Sequence, residues 1–422
     1  MQVKLPYGRH YISFAIPDQN LMGTLSIPDN LTVNNDNVKL VEDAINNPLG
    51  TPSMADIIKK KTAQNAVVVV NDITRPTPYK DMLPPLLQAI EKGGIKRDNI
   101  KLLIATGIHR PHTEAENLAI FGPDICADYH IENHNCDDNL VSLGYLSNGM
   151  ELVVNGNLAK TDLLVTTGMV GLHYFAGYSG GRKSILPGLA SRKLIEANHK
   201  MMNDKRACLG NYEDNPVSDI MLEAASKAGV DFTLNVVTAS KKSIAFAAAG
   251  DIFEAWMKAV KYCEAISVVN IKEKADIVIA GCGGYPKDIN MYQSQKALDA
   301  AVLSVKEGGT IILVAECSEG MGEETFCKWI EEASCPQDIV DRFNNSFELG
   351  GHKAFAICRV LEKAGIMLYS GLPTELVGKM YMSPVKSVDE AISKALEIHG
   401  KKASILFMPE APRIGIKSGP VV

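Results

Sequence analysis

Residues 171–188, GLHYFAGYSGGRKSILPG, set His173, Arg182 and Lys183 among Gly177, Gly180, Gly181 and Gly188. Glycine is entropically costly in helices and strands, so this density predicts tight turns or close approach of backbone to a bound group rather than packing. Two further segments carry reactive side chains: DITRPTP, with Asp72, Ile73, Thr74 and Arg75, and ATGIHRPHTEAE, with His109. Arg75 offers a planar fork suited to carboxylate or phosphate, on a loop stiffened by Pro76 and Pro78. Asp72 suits orientation of that arginine or of a ligand hydroxyl; an Asp-x-x-Arg is as readily a structural ion pair. Thr113 and Glu116 match a helix N-cap and its capping acid, which leaves His109 unexplained, while His112 reads as an exposed helix-start residue.

An imidazole takes or gives one proton near neutral pH. Two of them, His109 and His173, flanking a small ligand would serve its two faces, which is what an epimerase needs. His199, in SRKLIEANHKMMND, falls in a helical pattern. With the other two histidines it admits a metal, but there is no HExxH motif or nearby carboxylate pair, so spacing alone is a weak metal signal. Downstream, GGYPKDINMYQSQKA at 283–297 leads from a Gly-rich turn into a predicted helix carrying Tyr292, Gln293 and Lys296. Helical spacing puts Gln293 and Lys296 on one face, either to meet a small anion or as an ordinary solvated face.

The elements that must position these groups read as α/β. Near-continuous Val/Ile/Leu runs predict parallel strands at 65–72, 100–107, 161–168 and 231–238, with a helix over 82–94. A second series follows at 275–284, 309–317, 364–371 and 402–409. With a boundary near 265–274, the reading is two α/β domains, 1–270 and 271–422. Their mostly parallel sheets are expected to face each other across an active-site cleft, with the last strand or tail packing back on the first domain. Asp72, His109 and His173 each follow a predicted strand closely, and ligands of open α/β sheets bind at strand carboxyl ends.

Composition narrows the function. The chain has 422 residues, 46% hydrophobic and 22% charged, the profile of a globular protein. A formal charge of −6 without a Lys/Arg stripe argues against nucleic acid; KKK at 59–61 reads as a solvated helix end. No run of about 18 apolar residues suggests a membrane span. The start lacks a secretory pattern, so a cytoplasmic location is expected. Nine cysteines, without a CxxC pair, read mostly as small buried hydrophobes rather than disulfides or a zinc site.

DITRPTP, TGIHRPHT, GLHYFAGYSGGRKSILPG, ANHK and GYPKDINMYQSQKA occur in the order and approximate spacing of a known family. Over nearly its whole length the chain resembles the nickel-pincer-nucleotide lactate racemases and their 2-hydroxyacid racemase and epimerase relatives. The resemblance implies a nickel(II) pyridinium-3,5-bisthiocarboxylic acid mononucleotide as cofactor, covalently attached at Lys183, with His199 as the remaining nickel ligand in a square-planar site. It implies that His109 and His173 exchange the substrate hydroxyl proton while the Cα hydrogen passes as hydride to the pincer ring and returns to the opposite face. Arg75 matches a substrate-orienting arginine, within a 72–75 segment lying against the cofactor. Gln293 and Lys296, with Tyr292 as a neighbour, match substrate-binding groups. The Gly180–Gly181–Arg182 turn is a candidate for the nucleotide phosphate, because bare amides and a guanidinium suit an anion. Implied partners are a small 2-hydroxy acid, lactate by default, and separate cofactor-making enzymes. Alternative readings are a racemase or epimerase of malate, an aryl-lactate or a sugar acid, and a non-catalytic cofactor carrier. A nicotinamide dehydrogenase is disfavoured, because no GxGxxG turn follows the strand at 65–72.

Overall fold

The computed structural model describes residues 1–27, 36–240 and 243–418. The chain divides into two units, one of residues 28–266 and one of 1–27 with 267–422.

In the first of these, six strands form one sheet in the order Ser243–Gly250, Phe232–Ser240, Leu163–Met169, Ala66–Asn71, Ile100–Ala105 and His130–Asn133. All neighbours are parallel except the pair Phe232–Ser240 and Ser243–Gly250. The run AVVVVN is buried on both faces, as a central parallel strand requires, and the helix Tyr79–Lys92 covers one face with Met82, Leu83, Leu86 and Ile90. The chain enters at Ala66–Asn71 and runs outward through Ile100–Ala105 to the edge. It then returns to the opposite side of its first strand at Leu163–Met169. Strand order therefore reverses beside Ala66–Asn71, and the carboxyl ends of strands at such a reversal are where doubly wound sheets bind ligands.

The other unit has a second six-stranded sheet, all parallel, in the order Ser383–Pro384, Ala364–Tyr369, Val305–Val314, Ala275–Gly281, Ile405–Met408 and Leu21–Thr24. This corrects the expectation of a first domain over 1–270. The hairpin Gln2–Tyr7 and His10–Ala15 buries Val3, Leu5, Tyr7 and Phe14 in the core of the C-terminal unit, and Leu21–Thr24 adds its edge strand. Few apolar residues in these short strands announce which sheet they join. The last described strand, Gly415–Ser418, pairs with Val268–Ile271, at the end of the expected first domain but inside the C-terminal unit.

The 171–188 segment departs from its reading as well. Its glycines do serve packing, but of backbone on backbone. A Cβ on Gly177, which has φ +72°, would lie 2.1 Å from the Asn211 carbonyl, and one on Gly188 would lie 2.4 Å from that of Ser184. The Gly181 amide donates to Asn235 Oδ1 at 2.8 Å. Arg182 is fully buried, with its guanidinium 3.8 Å over the Trp256 ring and Nη2 donating to Ala176 O, Tyr178 O and Ser218 Oγ. The Gly181 amide and Arg182 Nη2 are thus turned inward to protein partners, which counts against the anion-binding role expected of those two residues. Replacing Asn235 by alanine strands a buried amide and is expected to cost about 1–3 kcal/mol, read as a lowered urea midpoint at unchanged slope.

Candidate active site

Asn71 ends the central strand and Asp72 turns beneath it, buried at 5% exposure. Its Oδ2 lies 2.6 Å from Nδ1 of His109, which follows the neighbouring strand, and its Oδ1 accepts from Thr74 Oγ1 at 2.7 Å. Burial pushes the Asp72 carboxyl up, but the bonds from His109 and Thr74 outweigh it and hold the group below its ordinary range. The carboxylate is therefore ionised and acceptor-only, and the network assigns the Nδ1 proton to His109. The neutral ring then carries its lone pair on Nε2. With 46% of its side chain exposed, His109 reaches outward while its partner does not. Arg75 is exposed and makes no ion pair with Asp72 among the described residues, so the structural-pair reading of these two is set aside.

His173 ends the short strand Leu172–His173, paired with Gly177–Tyr178. Its Nδ1 accepts the Ala176 amide at 3.3 Å, and its Nε2 lies 2.9 Å from Lys183 Nζ. A neutral imidazole has one proton; with Nδ1 accepting, that proton sits on Nε2 and the lysine nitrogen receives it, which requires the free amine. The electrostatics agree, because burial, then the cations of Arg75 and Arg182, hold Lys183 well below the usual lysine range. Phe175 joins the group: its ring is 4.6 Å from His173, 5.1 Å from His199 and 5.5 Å from Lys183 Nζ.

His199 lies on the helix Arg192–Lys200, capped by Ser191, as its pattern predicts. Nδ1 donates to the Ile195 carbonyl at 2.8 Å, so Nε2 bears the lone pair. Burial, then Lys183, push its pKa down to about 4, with His109 adding to the shift. Such a neutral imidazole, its tautomer set by a backbone carbonyl, is the form that ligates a metal. Asp72, Arg75, His109, His173, Lys183 and His199 thus belong to one unit and one electrostatic neighbourhood.

Gln293 and Lys296 lie in the other unit, where Lys296 Nζ donates to Gln293 Oε1 at 2.6 Å, confirming their shared face. Tyr292 is half-buried beside Phe326 and His352, and Lys353, unnoticed in the sequence, donates to Gln295 Oε1 at 2.8 Å beneath this segment. His112 is a correction: it is buried, not exposed, with Nε2 accepting the Ile73 amide at 2.7 Å and Nδ1 on Asn117 Oδ1 at 3.0 Å. The adjacent capping box of Thr113 and Glu116 is present as expected.

Comparison with known proteins identifies the family. Residues 7–210 match the lactate racemase N-terminal domain and residues 270–415 the lactate racemase C-terminal domain. A lactate racemase of Thermoanaerobacterium thermosaccharolyticum is 37% identical over 98% of this chain and 99% of its own length. A second, from Lactiplantibacillus plantarum, is 34% identical over 98% and 99%. The structure of the lactate racemase apoprotein from T. thermosaccharolyticum superposes with a TM-score of 0.91 at 35% identity, covering 99% of this chain and all of that one (100%). A Thermotoga maritima protein of known structure, 18% identical with a TM-score of 0.64, shares the fold. The chain belongs to the lactate racemase family, and its enzyme class is that of an isomerase.

Proposed function

We propose that the protein interconverts D- and L-lactate, with His109 and His173 exchanging the substrate hydroxyl proton. The observation that carries this reading is the different backing of the two rings: His109 Nδ1 lies on the Asp72 carboxylate, which assigns its lone pair to Nε2, whereas His173 Nδ1 accepts an amide, which assigns its proton to Nε2. One can take a proton while the other gives one. When a lactate enantiomer is consumed at one face, His109 accepts the hydroxyl proton and Asp72 stabilises the imidazolium that forms. Reaction of the opposite enantiomer reverses the roles. Arg75, exposed beside this pair, is assigned to the substrate carboxylate.

The residues also fit a nickel-pincer nucleotide. Among the described residues no three His, Cys, Asp or Glu side chains gather as metal ligands, so a metal on His199 must take its remaining donors from the group that brings it. Lys183, held as the free amine, suits covalent attachment of that group, and the Asp72–Ile73–Thr74–Arg75 segment suits lying against it. When bound, the cofactor supplies the hydride acceptor and donor that side chains lack. Cofactor-making enzymes are the partners this reading requires.

The deciding measurement is intact mass, nickel content and lactate interconversion on one sample produced with the cofactor-making enzymes. An adduct at Lys183 with racemisation is expected; an adduct without lactate turnover moves the substrate to another 2-hydroxy acid, and no adduct overturns the cofactor reading. His109→Gln and His173→Gln are each expected to lower kcat by about 10²–10⁴ in both directions with the adduct retained. In cofactor-free protein, competitive acylation followed by peptide mass analysis should label Lys183 with a pH midpoint well below that of surface lysines. The sign follows from the charged form being disfavoured by burial and by neighbouring cations, and a midpoint near 10.5 would refute it.

A further inference from the structure

Two hydrogen bonds tie the 72–75 turn to the loop that follows the neighbouring strand. One is Asp72 to His109; the other is the Ile73 amide to His112 Nε2. The other hydrogen bonds of the turn, Arg75 N to Asp72 O at 3.0 Å, Thr74 Oγ1 to Asp72 Oδ1, and Thr77 N to Arg75 O at 2.8 Å, stay within residues 72–77 and do not reach that loop. These two ties differ in kind. The Asp72–His109 bond joins groups whose charge changes whenever His109 gains or loses a proton, so its strength varies through a catalytic cycle. The Ile73–His112 bond involves an amide that does not titrate and a ring with every polar group engaged. His112 Nδ1 lies 3.0 Å from Asn117 Oδ1, its backbone amide donates to Asn133 Oδ1 at 2.9 Å, and its ring stacks on Phe121 at 6.5 Å. Asn117 fixes the tautomer that leaves Nε2 as an acceptor, and the ring is only 8% exposed, beyond reach of a substrate.

We infer that His112 is a positioning residue for racemisation: it holds the Ile73 amide and so keeps Asp72 and Arg75 in register while the Asp72–His109 bond changes strength. This rests on reading the 72–75 turn as part of the active site. Without the tether, the turn is anchored to that loop only through a group that titrates, and small displacements of catalytic groups are costly in rate.

The test uses His112→Phe, which preserves ring volume and loses the acceptor, and His112→Gln, whose Oε1 restores one. In the full-length, cofactor-free chain, H112F is expected to speed hydrogen exchange of the 72–75 amides about tenfold with the sheet amides unchanged, and H112Q to restore protection. In cofactor-loaded protein, activity per attached cofactor should fall about 10–100-fold in H112F, in kcat rather than KM, with a shifted acid limb of the pH–rate profile. H112Q should recover most of it. Wild-type exchange at 72–75 in H112F, or a loss in H112Q equal to that in H112F, overturns the inference. Should H112F fail to fold, Asn117→Leu, which frees the tautomer, carries the same expectation, and full protection of Ile73 there refutes it. Absence of lactate turnover in loaded wild-type protein would fault the substrate reading alone, because the exchange measurement decides the tether independently.

Discussion

A lysine amine 2.9 Å from an imidazole, with cations nearby and no carboxylate on it among the described ion pairs, is the arrangement around which the N-terminal sheet's site is built. An ammonium there would face burial, Arg75 and Arg182 together, so the surroundings disfavour the charged form. That choice constrains the surroundings. The loop bearing Lys183 must be rigid enough to keep it from solvent, and the buried Arg182, clasped by carbonyls, Ser218 and the Trp256 face, supplies both the rigidity and part of the field. A guanidinium buried for structure thereby tunes the chemistry of its sequence neighbour.

The same logic separates the histidines. His109 rests on a carboxylate, His173 on an amide N–H, and His199 on a carbonyl. Each backing group selects one tautomer, so three copies of one side chain differ in which ring nitrogen carries the proton. Placement follows from topology. The reversal of strand order beside Ala66–Asn71 brings the ends of three strands together, and the loops after them carry Asp72, His109 and His173, whereas His199 comes from the helix Arg192–Lys200.

Much of this was legible in the chain. Buried parallel strands write themselves as apolar runs, so AVVVVN and IKLLIA were plain, and reactive residues directly after them marked the crevice. The family's motifs named the residues. What was hidden depended on partners distant in sequence. Asn235 looks like a lone polar residue within a strand, yet it satisfies the Gly181 amide, and nothing around His112 signals that it receives the Ile73 amide. Half-polar short segments such as Leu21–Thr24 carry too little pattern to reveal that they complete a sheet formed by residues hundreds of positions later. Glycine density was read as room for a ligand because sequence shows missing side chains but not the backbone that fills their place.

In the proposed chemistry, the Lys183–His173 bond links loading of the site to its competence. Before attachment, the lysine lone pair accepts the His173 Nε2 proton, and that proton is committed within the protein. Acylation of the amine delocalises the nitrogen lone pair and removes it as an acceptor. The His173 Nε2 proton then loses the lysine nitrogen as its acceptor. In that proposal, loading of Lys183 changes the hydrogen bonding of the histidine beside it, so the two events are coupled through one contact.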